Sequence, residues 1–204
     1  MRRKEFEIKD TGDIESFLCD QKSGILSLSE PDGQPYGVPL NYAYINGSIV
    51  FHSAKDGKKA DIIRGGSKAQ FTVYKEYAVI PSYFTSEHDA CNATQFFASV
   101  MLYGELYEVH DPAEKARALN AIMDQVQGAG RYTPMAADDD HYLPMLKHTA
   151  VFSLTAETIT AKFKAGQNLK DDAAELIMGK LVERGMPVDI ETVELMKRYR
   201  PVKK

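Results

Sequence analysis

Hydrophobic and polar positions change period several times along the chain, and each change marks an element. Ile14 to Leu18, in DIESFL, has helical spacing, and Asp13 is placed to cap it. From Gly24 the period falls to two. GILSLSE reads as a strand, Pro31-Asp32-Gly33 as a turn, YGVPLNYAYI as a second strand and SIVFHSA as a third. Asn46-Gly47 between the last two is a strong hairpin signal, because both residues tolerate positive φ. Residues 24–54 are therefore expected to form a three-stranded antiparallel meander.

Beyond Lys55, Ala60, Ile62 and Ile63 form a short apolar face closed by Gly65-Gly66, which predicts a helix over 58–64. KAQFTVYKEYAVI, FASVMLYGELYEV and TAVFSLTAETITAKF are further strands. Asp111-Pro112-Ala113-Glu114 is a helix start, with Asp as cap and Pro in the first turn. Leu119, Ile122, Met123 and Val126 then share one face. The tail from Asp171 to Arg198 reads as two amphipathic helices broken at Gly185-Met186-Pro187. Hairpin-linked strands with no βαβ alternation predict a mainly β, α+β fold with an antiparallel sheet, peripheral helices and a helical C-terminal extension.

Composition bounds the function. The 204 residues suffice for a core without disulfide or metal staples, and a net charge of −4 argues against non-specific nucleic-acid binding. Cys19 and Cys91 are too far apart for a CxxC zinc site, and Cys91 is expected to be a buried or semi-buried thiol. No apolar run approaches the ~20 residues that span a bilayer, and no secretory signal opens the chain, so a soluble cytoplasmic protein with no membrane partner is expected. Phosphate-loop, dinucleotide-fingerprint, nucleophile-elbow and HExxH patterns are absent. Asp138-Asp139-Asp140-His141 and the His88/Cys91 pair are weak metal candidates, and the expectation is no metal site, with the acidic run a solvated loop.

The chemistry concentrates in FHSAKDGKKADIIR. A strand ending near Ala54, a turn at Gly57 and a helix from Lys58 place a hydroxyl at Ser53, ammonium groups at Lys58 and Lys59, and Arg64 two turns on. The physics of unpaired N–H groups and clustered cations permits an anion there, and a solvated basic turn is the competing reading. Tyr42, Tyr44 and Tyr83 are candidates for a substrate pocket or for packing.

The block VPLNYAYINGSIVFHSAKDGKK resembles the FMN-binding split β-barrel family related to pyridoxamine 5′-phosphate oxidase, in particular the nitroimidazole-resistance (Nim) type reductases. In order, Phe97-Ala98-Ser99-Val100 is similar to the family's Tyr-x-Ser-Val strand with Phe for Tyr, and Leu102 to Glu105 and Asp111 to Leu119 are similar to the next strand and helix start. Lys162 to Asn168 is similar to a stretch in FMN-binding regulator-like relatives. The likeness runs from about residue 14 to 165, which implies an FMN-binding split-barrel domain over 1–165 and a helical extension over 166–204, packed on that domain or on a dimer partner.

The resemblance further implies FMN at a homodimer interface. The backbone of Val38, Pro39, Leu40 and Asn41 would face the isoalloxazine ring. His52, Ser53 and Ala54 would run beside the ribityl chain and phosphate, with Lys58 and Lys59 as phosphate partners. The strand around Ser99 would come from the second subunit. His52 is the catalytic candidate, with a contact role that involves no proton transfer as the favoured alternative. The expected activity is transfer of reducing equivalents from NAD(P)H to a small acceptor, with nitro-aromatics among the candidates. A non-catalytic flavin- or haem-binding sensor is the alternative. Oxidation of pyridoxamine phosphate is disfavoured by the lack of an arginine cluster for that substrate's own phosphate.

Overall fold

The computed structural model describes residues 2–66, 68–86 and 88–200. Strands β1 (Glu7–Ile8), β2 (Ser23–Ser29), β3 (Pro35–Asn41), β4 (Ala43–Ile45), β5 (Ser48–Ser53), β6 (Lys68–Ile80), β7 (Thr94–Val109) and β8 (Ala150–Lys164) form one sheet. Its order is β3-β2-β6-β7-β8-β5-β4, with β1 paired to β8. Every pairing whose register is described is antiparallel. Helices α1 (Thr11–Asp20), α2 (Lys58–Arg64), α3 (Pro112–Gln127), α4 (Leu143–His148), α5 (Asp171–Arg184) and α6 (Pro187–Tyr199) complete the chain. Among the described residues no helix is long and apolar enough to cross a membrane.

Two compact units divide these elements: residues 10–73 and 100–160 form the larger, residues 2–9, 74–99 and 161–200 the smaller. In the larger unit β5 is covered on both faces. Val50 packs with Ala43, Val109, Ala118, Ile122 and Val151 beneath α3, while the Phe51 ring lies 5.6 Å from that of Phe152. His52 continues the face of Val50 at the strand's end and is exposed. In the smaller unit α5 and α6 close over Ala78, Ile80, Phe84 and Phe96 through Ile177, Leu181, Val193 and Met196.

The meander expectation needs correction. YGVPLNYAYI is two strands, because Tyr42 turns inward and breaks the run. Its ring is fully buried, 5.0 Å from Phe71, and its hydroxyl donates to Leu18 O at 2.6 Å. Gln125 fills the gap: its Oε1 accepts from Tyr44 N, while its Nε2 donates to Leu18 O and Gln21 O at the end of α1. As a result β3 pairs only with β2 and ends the strand order, whereas β4 pairs with β5 at the other end.

Other boundaries shift for local reasons. The cap of α1 is Asp10, not Asp13: Asp10 Oδ1 accepts from Asp13 N, and the helix begins at Thr11. Strand β7 starts at Thr94 rather than Phe97. Helix α2, strand β6 and the α5–α6 pair form where the periodicity places them, Asp111 accepts from Glu114 N at the start of α3, and Asn46 and Gly47 take φ of 49° and 80°. Helix α4 and strand β1 were not anticipated; both are short, and β1 has only two residues. Cys91 is exposed, on a 3-10 turn, rather than buried.

Gly104 marks the tightest strand approach, since a Cβ there would sit 1.9 Å from the carbonyl oxygen of Thr155. Backbone cannot yield as a side chain can. Gly104→Ala should therefore destabilise the protein by at least the roughly 1–3 kcal/mol of ordinary overpacking, while Gly37→Ala, whose Cβ meets nothing within 4 Å, should be near neutral. Urea midpoints of the two variants check the contrast.

Candidate functional site

Three stretches of the larger unit come together around the β5–α2 turn. Strand β3 approaches β5, and α2 approaches β2. Strand β3 has no fully buried residue: Gly37, Pro39 and Asn41 are exposed, while Val38 and Leu40 are half-buried. It is an edge strand, Pro39 offers no N–H, and its neighbour across the ladder, Ile25, is itself 48% exposed. Asn41 donates its side-chain amide to Lys22 O at 2.8 Å. The edge is thus open, small and flat.

At the end of β5, His52 lies opposite Val151 and Ser53 opposite Ala150. Ala54 and residues 55–57 form the turn, and Gly57 takes φ 123° with open space where a Cβ would be. The turn is clamped from below. Arg64 donates from Nη1 to Lys55 O at 2.7 Å and grips Glu108 with Nε and Nη2 at 2.8 and 3.2 Å. That bidentate pair holds the Glu108 carboxyl below its usual range and occupies Arg64.

The two lysines of α2 differ. Lys58 Nζ lies 2.7 Å from Glu30 Oε1 and 5.3 Å from the centre of the Tyr36 ring. Its hydrogen bond to Glu30 raises its ammonium above the ordinary range. Lys59 is half-buried, its Nζ 5.7 Å from the Phe51 ring centre, and no carboxylate partner is found for it among the described residues. Burial alone lowers it. Sequence reasoning placed both lysines at the turn but missed Glu30, 28 positions earlier, whose role shows only once the β2–β3 turn and α2 are built.

The remaining candidates separate from this group. Ser99 is buried on β7 in the smaller unit. Tyr42 is core, Tyr44 is half-buried, and Tyr83 is 66% exposed in the smaller unit. In the acidic run, Asp139 Oδ1 accepts from His141 N, and among the described residues no group of three His, Cys, Asp or Glu side chains is placed to hold a metal ion.

His52 is the titratable group that reports on the site. Partial desolvation of its ring where it meets the strand end, and after it the Lys59 charge, hold the imidazole below its ordinary range, so it is neutral at neutral pH. Because the unfolded chain takes up that proton more readily, His52 subtracts stability as the pH falls through the ordinary imidazole range toward its lower folded value. An NMR titration should show His52 below a free histidine. Lys59→Met should move it upward while leaving the part due to burial.

The sequence model of the pyridoxamine 5′-phosphate oxidase family matches residues 10–163. No curated protein matches the chain. Among solved structures, a candidate 5-nitroimidazole antibiotic resistance protein from Bacteroides thetaiotaomicron is similar with a TM-score of 0.62 and 22% identity, over 76% of this chain and 85% of that one. The FAD and haem binding protein from Mycobacterium smegmatis gives 0.67 at 19% identity, over 85% and 79%. A flavocytochrome from Azotobacter vinelandii gives 0.64 at 21%, over 80% and 72%. At these identities the likeness is one of fold. The family match covers most of the chain in one ordered run, through the open edge of β3, the β5–α2 turn and the strands that follow, and this chain is a member of the pyridoxamine 5′-phosphate oxidase family, with its antiparallel split-barrel fold.

Proposed function

We propose that the chain is a flavin-dependent oxidoreductase that holds FMN at the β5–α2 turn and along the edge of β3, and passes reducing equivalents from NAD(P)H to a small acceptor. Lys59 carries the reading: a half-buried ammonium with no carboxylate partner among the described residues, over the Phe51 ring and two residues past the open turn at Gly57. Desolvating a cation is costly unless an anion compensates it, and a phosphate monoester supplies that anion. The donor set fits one phosphate. Arg64 is taken by Glu108 and Lys58 by Glu30, which leaves Lys59 and the Ser53 hydroxyl as the first partners. Space at Gly57 and Gly37, where a Cβ would meet nothing, suits close approach by a phosphate and a planar ring.

Bound there, the flavin supplies the hydride-accepting and electron-donating chemistry. The chain's own residues do the rest. Val38, Pro39, Leu40 and Asn41 present backbone and short side chains to the ring, while His52, Ser53 and Ala54 line the ribityl side. His52, neutral at neutral pH, acts as a contact. A second copy of the chain completes the site and brings Ser99 to it. Exposed apolar side chains on strands of the larger unit, Ile25, Tyr103, Tyr107 and Ile159, are the kind of surface such a partner covers. Similar structures, a candidate antibiotic-resistance protein and a FAD and haem binding protein, support a redox cofactor without choosing the acceptor.

The purified protein should carry an oxidised-flavin spectrum and oxidise NAD(P)H when a nitro-aromatic is added. A Soret band, or bound flavin without turnover on any acceptor, would instead favour the sensor reading. Light scattering should report a dimer; a monomer with full flavin occupancy would remove the shared site. In titrations with FMN, Lys59→Ala should weaken binding by about ten-fold or more, the loss of one charge-assisted phosphate contact worth roughly 1.5–3 kcal/mol. Lys58→Ala should cost less, because Glu30 already holds that ammonium.

A further inference from the structure

Glu30 has no place in the site described so far, yet the fold presents it there with care. The residue sits at the base of the β2–β3 turn. Its N–H donates to Gln34 O and its carbonyl accepts from Gly33 N, both at 2.8 Å. Gly33 takes φ 87°, and Asp32 Oδ1 accepts from Gln34 N, so the turn is fixed from within. The Glu30 side chain is only 17% exposed, whereas Lys58, its partner at 2.7 Å, is 55% exposed. The carboxylate is held and the ammonium comes to it, kept near by the Tyr36 ring.

We infer that Glu30 is an internal stand-in for phosphate: its carboxylate holds Lys58 in the empty chain, releases it when a phosphate monoester docks at the β5–α2 turn, and thereby lowers and tunes the site's affinity for phosphorylated flavin. This rests on the phosphate reading of the turn. The chemistry is an exchange of one anion for another on the same ammonium. An ion pair whose ammonium is 55% exposed is weakened by solvent, and a phosphate monoester carries nearly twice the charge with three acceptor oxygens, so Lys58 can change partner. After the exchange Glu30 stays beside the new anion with its own negative charge unmatched, and Asp32 adds a second carboxylate that acts on the same ammonium. Both oppose phosphate. An open groove of about 720 Å³ between the β2–β3 turn and α2, lined by Ser29, Glu30, Pro31, Asp61, Ile62 and Lys68 around Lys58, gives that side chain room to leave Glu30.

The inference separates Glu30 from a residue that merely tethers α2. If it were only a tether, its loss would loosen the turn and weaken every flavin. As a competitor, its loss strengthens binding of phosphorylated flavin alone. The experiment is fluorescence titration of the deflavinated full chain with FMN and with riboflavin, in the wild type, Glu30→Gln, Lys58→Met and the double variant. Glu30→Gln should tighten FMN about three- to ten-fold, leave riboflavin unchanged, and give no gain once Lys58 is Met. An unchanged or weaker FMN affinity in Glu30→Gln, an equal shift for riboflavin, or the same gain in the Lys58→Met background would overturn the proposal. If the wild type itself binds riboflavin as tightly as FMN, the phosphate reading of the turn fails first, and that outcome is distinct from any of these.

Discussion

Tyr42 is the hinge of the larger unit. A strand pattern that runs unbroken from Tyr36 to Ile45 is cut by one inward aromatic, and the cut is held by two side chains, the Tyr42 hydroxyl on Leu18 O and Gln125 on Leu18, Gln21 and Tyr44. Burial pushes the Tyr42 phenol well above its usual range, so it remains a donor at any ordinary pH. The consequence reaches the surface. With β4 drawn to β5, β3 keeps one neighbour, and its other edge stays free. An open edge is normally a liability, managed here by Pro39 and an exposed Asn41. A flat cofactor lying along it would serve the same end, so one buried hydrogen-bonded tyrosine both divides the strand and leaves the edge for use.

The second constraint is electrostatic pairing. Lys55, Lys58, Lys59 and Arg64 crowd one turn and one short helix, and a naive count gives four cations for a phosphate. In the ligand-free chain two of them are paired. Arg64 is bound to Glu108 and uses its remaining donor to hold the Lys55 carbonyl; Lys58 is bound to Glu30. What is left is more selective than a basic patch: besides the exposed Lys55, one desolvated ammonium, Lys59, near enough to depress His52. A surface of four free lysines and arginines would attract many polyanions, whereas one desolvated cation near an open glycine turn narrows the choice to a small anion, as the proposed phosphate contact requires.

What the sequence makes legible follows from range. Helices α2, α5 and α6, strand β6 and the Asn46-Gly47 turn are written in local period and local turn chemistry, and they form where that pattern places them. The β3–β4 break is not local: Tyr44 N is satisfied by Gln125, 81 positions away, and no window around Tyr42 contains that information. The same holds for the site. Ser53, Lys58 and Lys59 stand together in the chain and could be read at once, while Glu30 and Glu108, which decide which cations are free, arrive from other strands. Cys91 is expected to be buried on residue type alone, since free cysteines are mostly buried, yet a 3-10 turn capped by Asp89 leaves it at the surface.

In the smaller unit the same logic of unpaired backbone explains the C-terminal helices. At the end of β6, side chains supply partners for backbone polar groups. Thr192 Oγ1 accepts from Ala78 N at 2.9 Å while donating to Val188 O, and Arg184 donates to Val79 O from both terminal nitrogens. Arg184 is itself fixed by Asp189, which is wholly inaccessible to solvent and held below the usual carboxylate range, first of all by that arginine. A buried carboxylate robbed of its partner costs several kcal/mol, about 3–5 in comparable cases, so the pair locks the corner between α5 and α6 through Asp189 and Met186 N. Apolar burial of Ile177, Leu181, Val193 and Met196 against Ala78, Ile80 and Phe96 supplies the driving force, and the polar ties set its register. These helices therefore act as the covering layer of that unit: they close a strand edge and a core that the sheet alone would leave open to water.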